Sequence, residues 1–266
     1  MPLNLSWDER TLSEGRWFRS TIGPLHLLVL NRGDEWRTVA GADETLAGLP
    51  GEGDLSQLPE GLDWTRWSCE QNDERVQLRP GFPDLPIIAR PRKPLVIAPS
   101  SSALFYVGIP ATVEVRAVAR GAMQTLASYP VQRLSKSWHG NRSTGNLCYA
   151  LRTRARRRYE AGDWPAHDIV CAIDLKNRRP SDFPFESLYL DTGHLAIFEQ
   201  EGRLWANASR VNIAEDEDED DRVDVTYAPR PLEPAAQARE LTAPARGHTR
   251  RSKILSAFSS FTDVLR

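Results

Sequence analysis

The sequence predicts an all-β protein: two β-sandwich-like subdomains, or one large sandwich, with a tethered C-terminal helix. Three observations carry that expectation. Prolines punctuate the stretch Pro86-Ile-Ile-Ala-Arg-Pro91-Arg-Lys-Pro94-Leu-Val-Ile-Ala-Pro99, with short Ile- and Val-rich runs between them. Proline lacks an N–H and has a fixed φ, so it belongs at strand edges and strand starts. Period-two alternation recurs elsewhere, as in Val113, Val115 and Ala117 against Glu114 and Arg116, the mark of half-buried strands. The candidate strands are also too numerous for one open sheet, which two packed layers resolve.

Residues 1–16 read as a polar lead-in. Trp17–Ile22, Leu25–Leu30 and Trp36–Ala40 follow as strands, parted by the turn signals Gly23-Pro24 and Asn31-Arg-Gly33-Asp34. Trp64–Glu70 and Arg75–Arg79 are expected to form a hairpin around Asn72-Asp73. Ala103–Ile109 is apolar on both faces, as an interior strand would be. Thr112–Ala119 and Met123–Tyr129 complete a first half over 17–130. The second half, 131–228, contains Leu147–Ala155, Ile169–Leu175, Glu186–Leu190, Leu195–Glu199, Leu204–Ile213 and Arg222–Tyr227. Residues 229–249, rich in Pro, Ala, Arg and Glu, read as a linker. In 250–266, Ile254, Phe258, Phe261 and Leu265 recur at helical spacing and predict an amphipathic helix.

The 266 residues carry a net charge of −2 and 40% hydrophobic side chains. No nucleic-acid partner is expected of a chain that is not basic overall. Three cysteines, Cys69, Cys148 and Cys171, do not make a disulfide framework. No signal peptide or membrane-spanning run is visible, so a cytoplasmic protein is expected. The sequon at Asn207-Ala-Ser209 then reads as a chance match.

These segments, together with Tyr129-Pro-Val-Gln-Arg-Leu-Ser-Lys-Ser-Trp-His-Gly140 and Gly145-Asn-Leu-Cys-Tyr-Ala150, resemble the domain-of-unknown-function family numbered 432. The shared pattern lies in Pro91, Pro94, Leu95, Ile97 and Pro99, then in Leu134, Ser135, Trp138 and Gly140, then in Gly145, Leu147, Cys148 and Tyr149. His139 stands where family members often carry an aromatic residue. The resemblance implies a β-rich fold, a bacterial or archaeal source and no assigned activity. Genes of the family often lie beside mechanosensitive-channel genes, so the resemblance also implies a membrane-associated channel as a partner class.

The strongest local candidate is the loop Leu134–Tyr149, with Ser135, Trp138, His139, Arg142, Cys148 and Tyr149 as ligand-binding residues. Loops on rigid β scaffolds are common binding positions. Cys148 as nucleophile would need a base and an orienting group, and only His139 is near in sequence. A hydrolase or isomerase at this loop is therefore the alternative to a non-catalytic binding protein. Exposed tryptophans such as Trp64 or Trp205 would support a carbohydrate-binding module instead. No metal site and no cofactor is expected: His167 and Cys171 flank a strand, where four residues span about 13 Å. Arg152, Arg154 and Arg156 form a basic cluster and Glu215–Asp221 an acidic run, both ordinarily solvated features. The basic cluster, Phe258 and Phe261 are the candidate partner-binding residues.

Overall fold

The architecture is seen in a computed structural model that describes residues 6–69, 72–93, 95–140, 145–215, 221–245 and 252–255. The strands are β1 (Arg10–Thr11), β2 (Arg16–Ile22), β3 (Leu25–Asn31), β4 (Glu35–Gly41), β5 (Glu52–Asp54), β6 (Thr65–Ser68), β7 (Arg75–Gly81) and β8 (Ile87–Pro91). Then come β9 (Leu95–Ile97), β10 (Ser102–Pro110), β11 (Thr112–Ala119), β12 (Ala122–Pro130), β13 (Ser135–His139), β14 (Asn146–Thr153), β15 (Asp168–Asn177) and β16 (Phe183–Phe185). The last are β17 (Leu188–Leu190), β18 (Ile197–Gln200), β19 (Arg203–Ala206), β20 (Ser209–Glu215), β21 (Asp221–Tyr227), β22 (Arg239–Thr242) and β23 (Ser252–Leu255). One short helix, α1 (Glu44–Ala47), is capped by Asp43, which accepts from the Leu46 N–H. The chain is thus all-β with several sheets, and no described helix is long and apolar enough to cross a membrane.

The chain divides into two compact units, each discontinuous in sequence. The first combines Met1–Gly81 with Pro110–Gln132; the second combines Phe82–Ile109 with Arg133–Arg266. In the first unit a five-stranded sheet, β5-β2-β3-β4-β6, accompanies a four-stranded sheet, β1-β7-β11-β12. Register places Phe18, Val29 and Thr38 on one face of the larger sheet. Thr38 Oγ1 meets Tyr129 Oη of the smaller sheet at 2.6 Å. The opposite face carries Trp17, Leu28 and Leu30, covered by Leu46 of α1 and by Leu49, Leu55, Leu58 and Leu62. Both faces of β3 are therefore buried, which explains its nearly unbroken apolar sequence.

The second unit contains an eight-stranded sheet with the path β22-β18-β19-β15-β20-β21-β23, and β10 also pairs with β15. Its core gathers Tyr106, Trp164, Val170, Ala172, Phe198 and Trp205. A separate four-stranded sheet, β13-β14-β8-β17, holds the candidate site, and β16 pairs with β9. Strand β8 runs parallel to β14, from Tyr149 opposite Ile87 to Thr153 opposite Pro91.

Several expectations change. Trp64–Glu70 and Arg75–Arg79 do not form a hairpin: β6 pairs with β4, whereas β7 pairs with β1 and β11. The lead-in contributes β1, and Trp7 is buried. The stretch 82–109, assigned by sequence to the first half, lies in the second unit. The expected linker contains β22, which pairs with β18, and buries Ala235 and Ala238 in the core. The C-terminal helix is not shown: Ser252–Leu255 is instead a strand paired with β21, where the ladder satisfies its backbone groups. Residues 256–266, with Phe258 and Phe261, lie outside the described residues, as do 216–220 of the acidic run. Leu204–Ile213 is two strands, interrupted where the Asn207 carboxamide accepts the Ala196 N–H and donates to Ala228 O.

Candidate functional site

The expected loop Leu134–Tyr149 is largely a β-hairpin. Ser135–His139 is strand β13, in register with β14: Ser137 opposite Cys148, Trp138 opposite Leu147, His139 opposite Asn146. Mixed polar and aromatic residues hide this strand from a hydropathy reading, but alternation sorts them onto two faces. Ser135, Ser137, His139 and Cys148 share one face. Lys136, Trp138, Leu147 and Tyr149 share the other. Arg142 lies outside the described residues.

On the first face Cys148 is fully buried, and burial pushes its thiol up, away from the reactive thiolate. His139 is buried and stacks on Tyr189, with ring centroids 4.8 Å apart and planes 25° from parallel. These rings come from opposite ends of the four-stranded sheet, about 14 Å apart were it flat, so the sheet curls to bring them together. On the second face the Tyr149 hydroxyl donates to Asp84 Oδ1 at 2.9 Å. That hydrogen bond, followed by burial, raises the phenol above its ordinary range. The hairpin brings His139 and Cys148 to one face, but the carboxylate it holds sits on the other. A nucleophile, base and orienting acid do not converge here.

The second face is also where the hairpin is open to solvent. Trp138 is 43% exposed and its cross-strand neighbour Leu147 is 38% exposed. Of the eight tryptophans, Trp138 is the exposed one. Trp205 is buried in the core and Trp64 is half-buried against the cluster of Trp17, Leu28, Leu30 and Leu46, so neither presents the open indole face a carbohydrate module needs.

The arginines of the basic cluster separate. Arg156 donates to Asp163 at 2.9 Å, and its backbone pairs with that of Tyr106. Arg152 and Arg154 remain exposed at the end of β14. Among the described residues, no group of three or more His, Cys, Asp or Glu side chains is arranged to hold a metal. Cys171 lies on the opposite face of β15 from Asp168, and its thiol donates a hydrogen bond to Ile169 O.

Two features were not legible in the sequence. A pocket of about 550 Å³ in the first unit is lined by Asp43, Thr45, Glu60, Asp63, Thr65 and Tyr129 among others. Its walls come from segments far apart in the chain, and no motif announces them. In the second unit, burial raises the Asp168 carboxyl to about 6 and lowers His167, whose Nε2 lies 3.9 Å from Asp168 Oδ1. Gly108 makes room for the Asp168 carboxylate and the Trp164 ring: a Cβ there would lie 2.7 Å from Asp168 Oδ2 and 2.8 Å from Trp164 Cε3.

The fold and the hairpin define a class before a family: a multi-sheet β protein with an exposed aromatic–aliphatic pair on one hairpin. Residues 6–263 match the family model described as Protein of unknown function (DUF432), and the chain belongs to that family. No curated protein and no solved structure matches it.

Proposed function

We propose that the chain is a non-catalytic binding protein, built on sandwich-like units, that engages a protein partner through the β13–β14 hairpin. The observation that carries this reading is the exposed cross-strand pair of Trp138 and Leu147. Large aromatic and aliphatic side chains side by side on one sheet face supply apolar area with little conformational entropy to lose. The buried, unreactive Cys148 and the separation of His139 from Asp84 across the sheet weigh against hydrolase or isomerase chemistry. In this reading Tyr149, on the same face as Trp138, joins the contact surface, while Ser135, His139 and Cys148 lie on the other face and take no part in it. The basic residues Arg152 and Arg154 form a second surface.

The test is affinity capture by the wild-type chain and by the variant Trp138→Ser with Leu147→Ser, followed by calorimetry with the purified partner. The variant, matched to wild type by circular dichroism, is expected to lose capture. A wild-type chain that captures nothing, or a variant that captures the same protein with the same affinity, overturns the reading. A captured membrane-channel subunit would match the partner class that the family resemblance implies; a water-soluble partner would leave the hairpin reading in place and remove the channel.

A further inference from the structure

The parallel pairing of β8 with β14 makes one feature out of two sequence motifs that lie sixty residues apart. Arg90 stands opposite Arg152 in the ladder, and the pair shares a face. One rung on, Pro91 stands opposite Thr153. The Arg92 N–H then donates to Thr153 O at 2.8 Å, which holds Arg92 beside Arg154. Lys93 follows directly. Neighbouring strands lie about 5 Å apart, and alternate residues of one strand about 7 Å apart. Four arginine Cα atoms therefore occupy a block of about those dimensions, with a lysine at its margin.

Like charges in register across a ladder repel one another. Among the described residues, no carboxylate forms an ion pair with Arg92, Lys93, Arg152 or Arg154, all of which are exposed. Arg156, the next member of the run, is diverted to Asp163. The whole chain is slightly acidic, so this local excess is not a consequence of composition. Guanidinium groups present planar donor forks that fit phosphate oxygens two at a time. A block of them suits an anion that carries several charges on adjacent phosphoryl groups better than single carboxylates spaced along a peptide.

We infer that the ends of β8 and β14 form a binding surface for a multiply charged phosphate group, with Arg92, Arg152 and Arg154 as its donors. The surface is independent of the Trp138–Leu147 contact. The same chemistry is offered by a free polyphosphate and by a phosphorylated lipid headgroup, and the two sources are separable.

The experiment uses the full chain and the variant Arg152→Gln with Arg154→Gln, both exposed positions. A second variant, Arg92→Gln with Lys93→Gln, removes charge from the other strand. Binding of inorganic tripolyphosphate is measured by calorimetry, and binding to vesicles by co-sedimentation, with and without phosphatylinositol bisphosphate in a neutral lipid. Each variant is expected to bind at least about tenfold more weakly, since two charge-assisted contacts are lost. Tripolyphosphate binding identifies a soluble ligand; binding to the charged vesicles alone identifies a headgroup. The inference fails if wild type binds neither probe at low ionic strength. It also fails if both variants, folded as wild type, bind equally well, or if polyglutamate of equal charge binds more tightly than tripolyphosphate.

Discussion

Three buried asparagines show how single residues hold this chain in shape. Asn31, Asn177 and Asn207 are all fully buried. The two N–H groups of the Asn177 carboxamide are shared among Ile97 O, Ala98 O and Ser181 O, and its oxygen accepts from the Arg179 N–H. Removing it strands several buried backbone groups, so Asn177→Ala is expected to cost about 3 kcal/mol or more, read by urea denaturation. Burial of Asn207 bears on its sequon: a fully buried carboxamide offers no acceptor for a glycan. Asp168 makes a pH-dependent prediction. Its folded carboxyl is raised from 3.8 to about 6 by burial alone. A raised acid destabilises the fold once it ionises, so its burden is absent below the unfolded value, grows as pH rises toward the folded one, and is complete above. Asp168→Asn should stabilise the protein by up to about 3 kcal/mol at about pH 8 and have little effect at about pH 4. His167, lowered by burial, acts in the opposite sense: its contribution is present above 6.5 and lost as pH falls through its folded value. Equal stability of Asp168→Asn and wild type at both pH values would refute the account.

Elements with a clean period were legible. Strand β11 matches its expected boundaries, and β2, β3, β4, β10, β12 and β21 match to within a residue or so. Their side chains alternate against, or fill, one apolar environment, and that is a local property. Strand β13 reads as loop in the sequence because Ser-Lys-Ser-Trp-His has no apolar face; its order comes from pairing with β14. Strand β22 reads as linker for the same reason. The composition of 229–249 suggests a solvated tether, yet Ala235 and Ala238 are small enough to pack beside Phe198, and the Arg230 guanidinium lies over the Phe198 ring at 5.4 Å. The segment is therefore part of the second unit's core and covers the β18 edge. A chain ending at residue 228 should melt about 10 °C or more below one ending at residue 245. Matching melting curves would restore the tether.

At the scale of the whole molecule, the two units exchange chain three times, at Gly81–Phe82, Ile109–Pro110 and Gln132–Arg133. Strands β8, β9 and β10 find their partners in β14, β16 and β15, all beyond residue 132. A fragment of residues 1–130, the half expected from sequence, should therefore be poorly folded by amide NMR dispersion. Replacing 82–109 with a short glycine-rich turn should rescue it, because Gly81 already stands opposite Thr112 in the β7–β11 ladder. A well-folded fragment without that replacement would contradict the division. The all-β class and most strand positions follow from composition, proline punctuation and two-residue periodicity, which are local and written along the chain. Which strands pair, that Trp138 faces solvent while Cys148 is sealed, and that Arg90 meets Arg152 were settled only by folding. Register between distant segments depends on the total burial and hydrogen bonding of both partners, a sum that no single stretch contains.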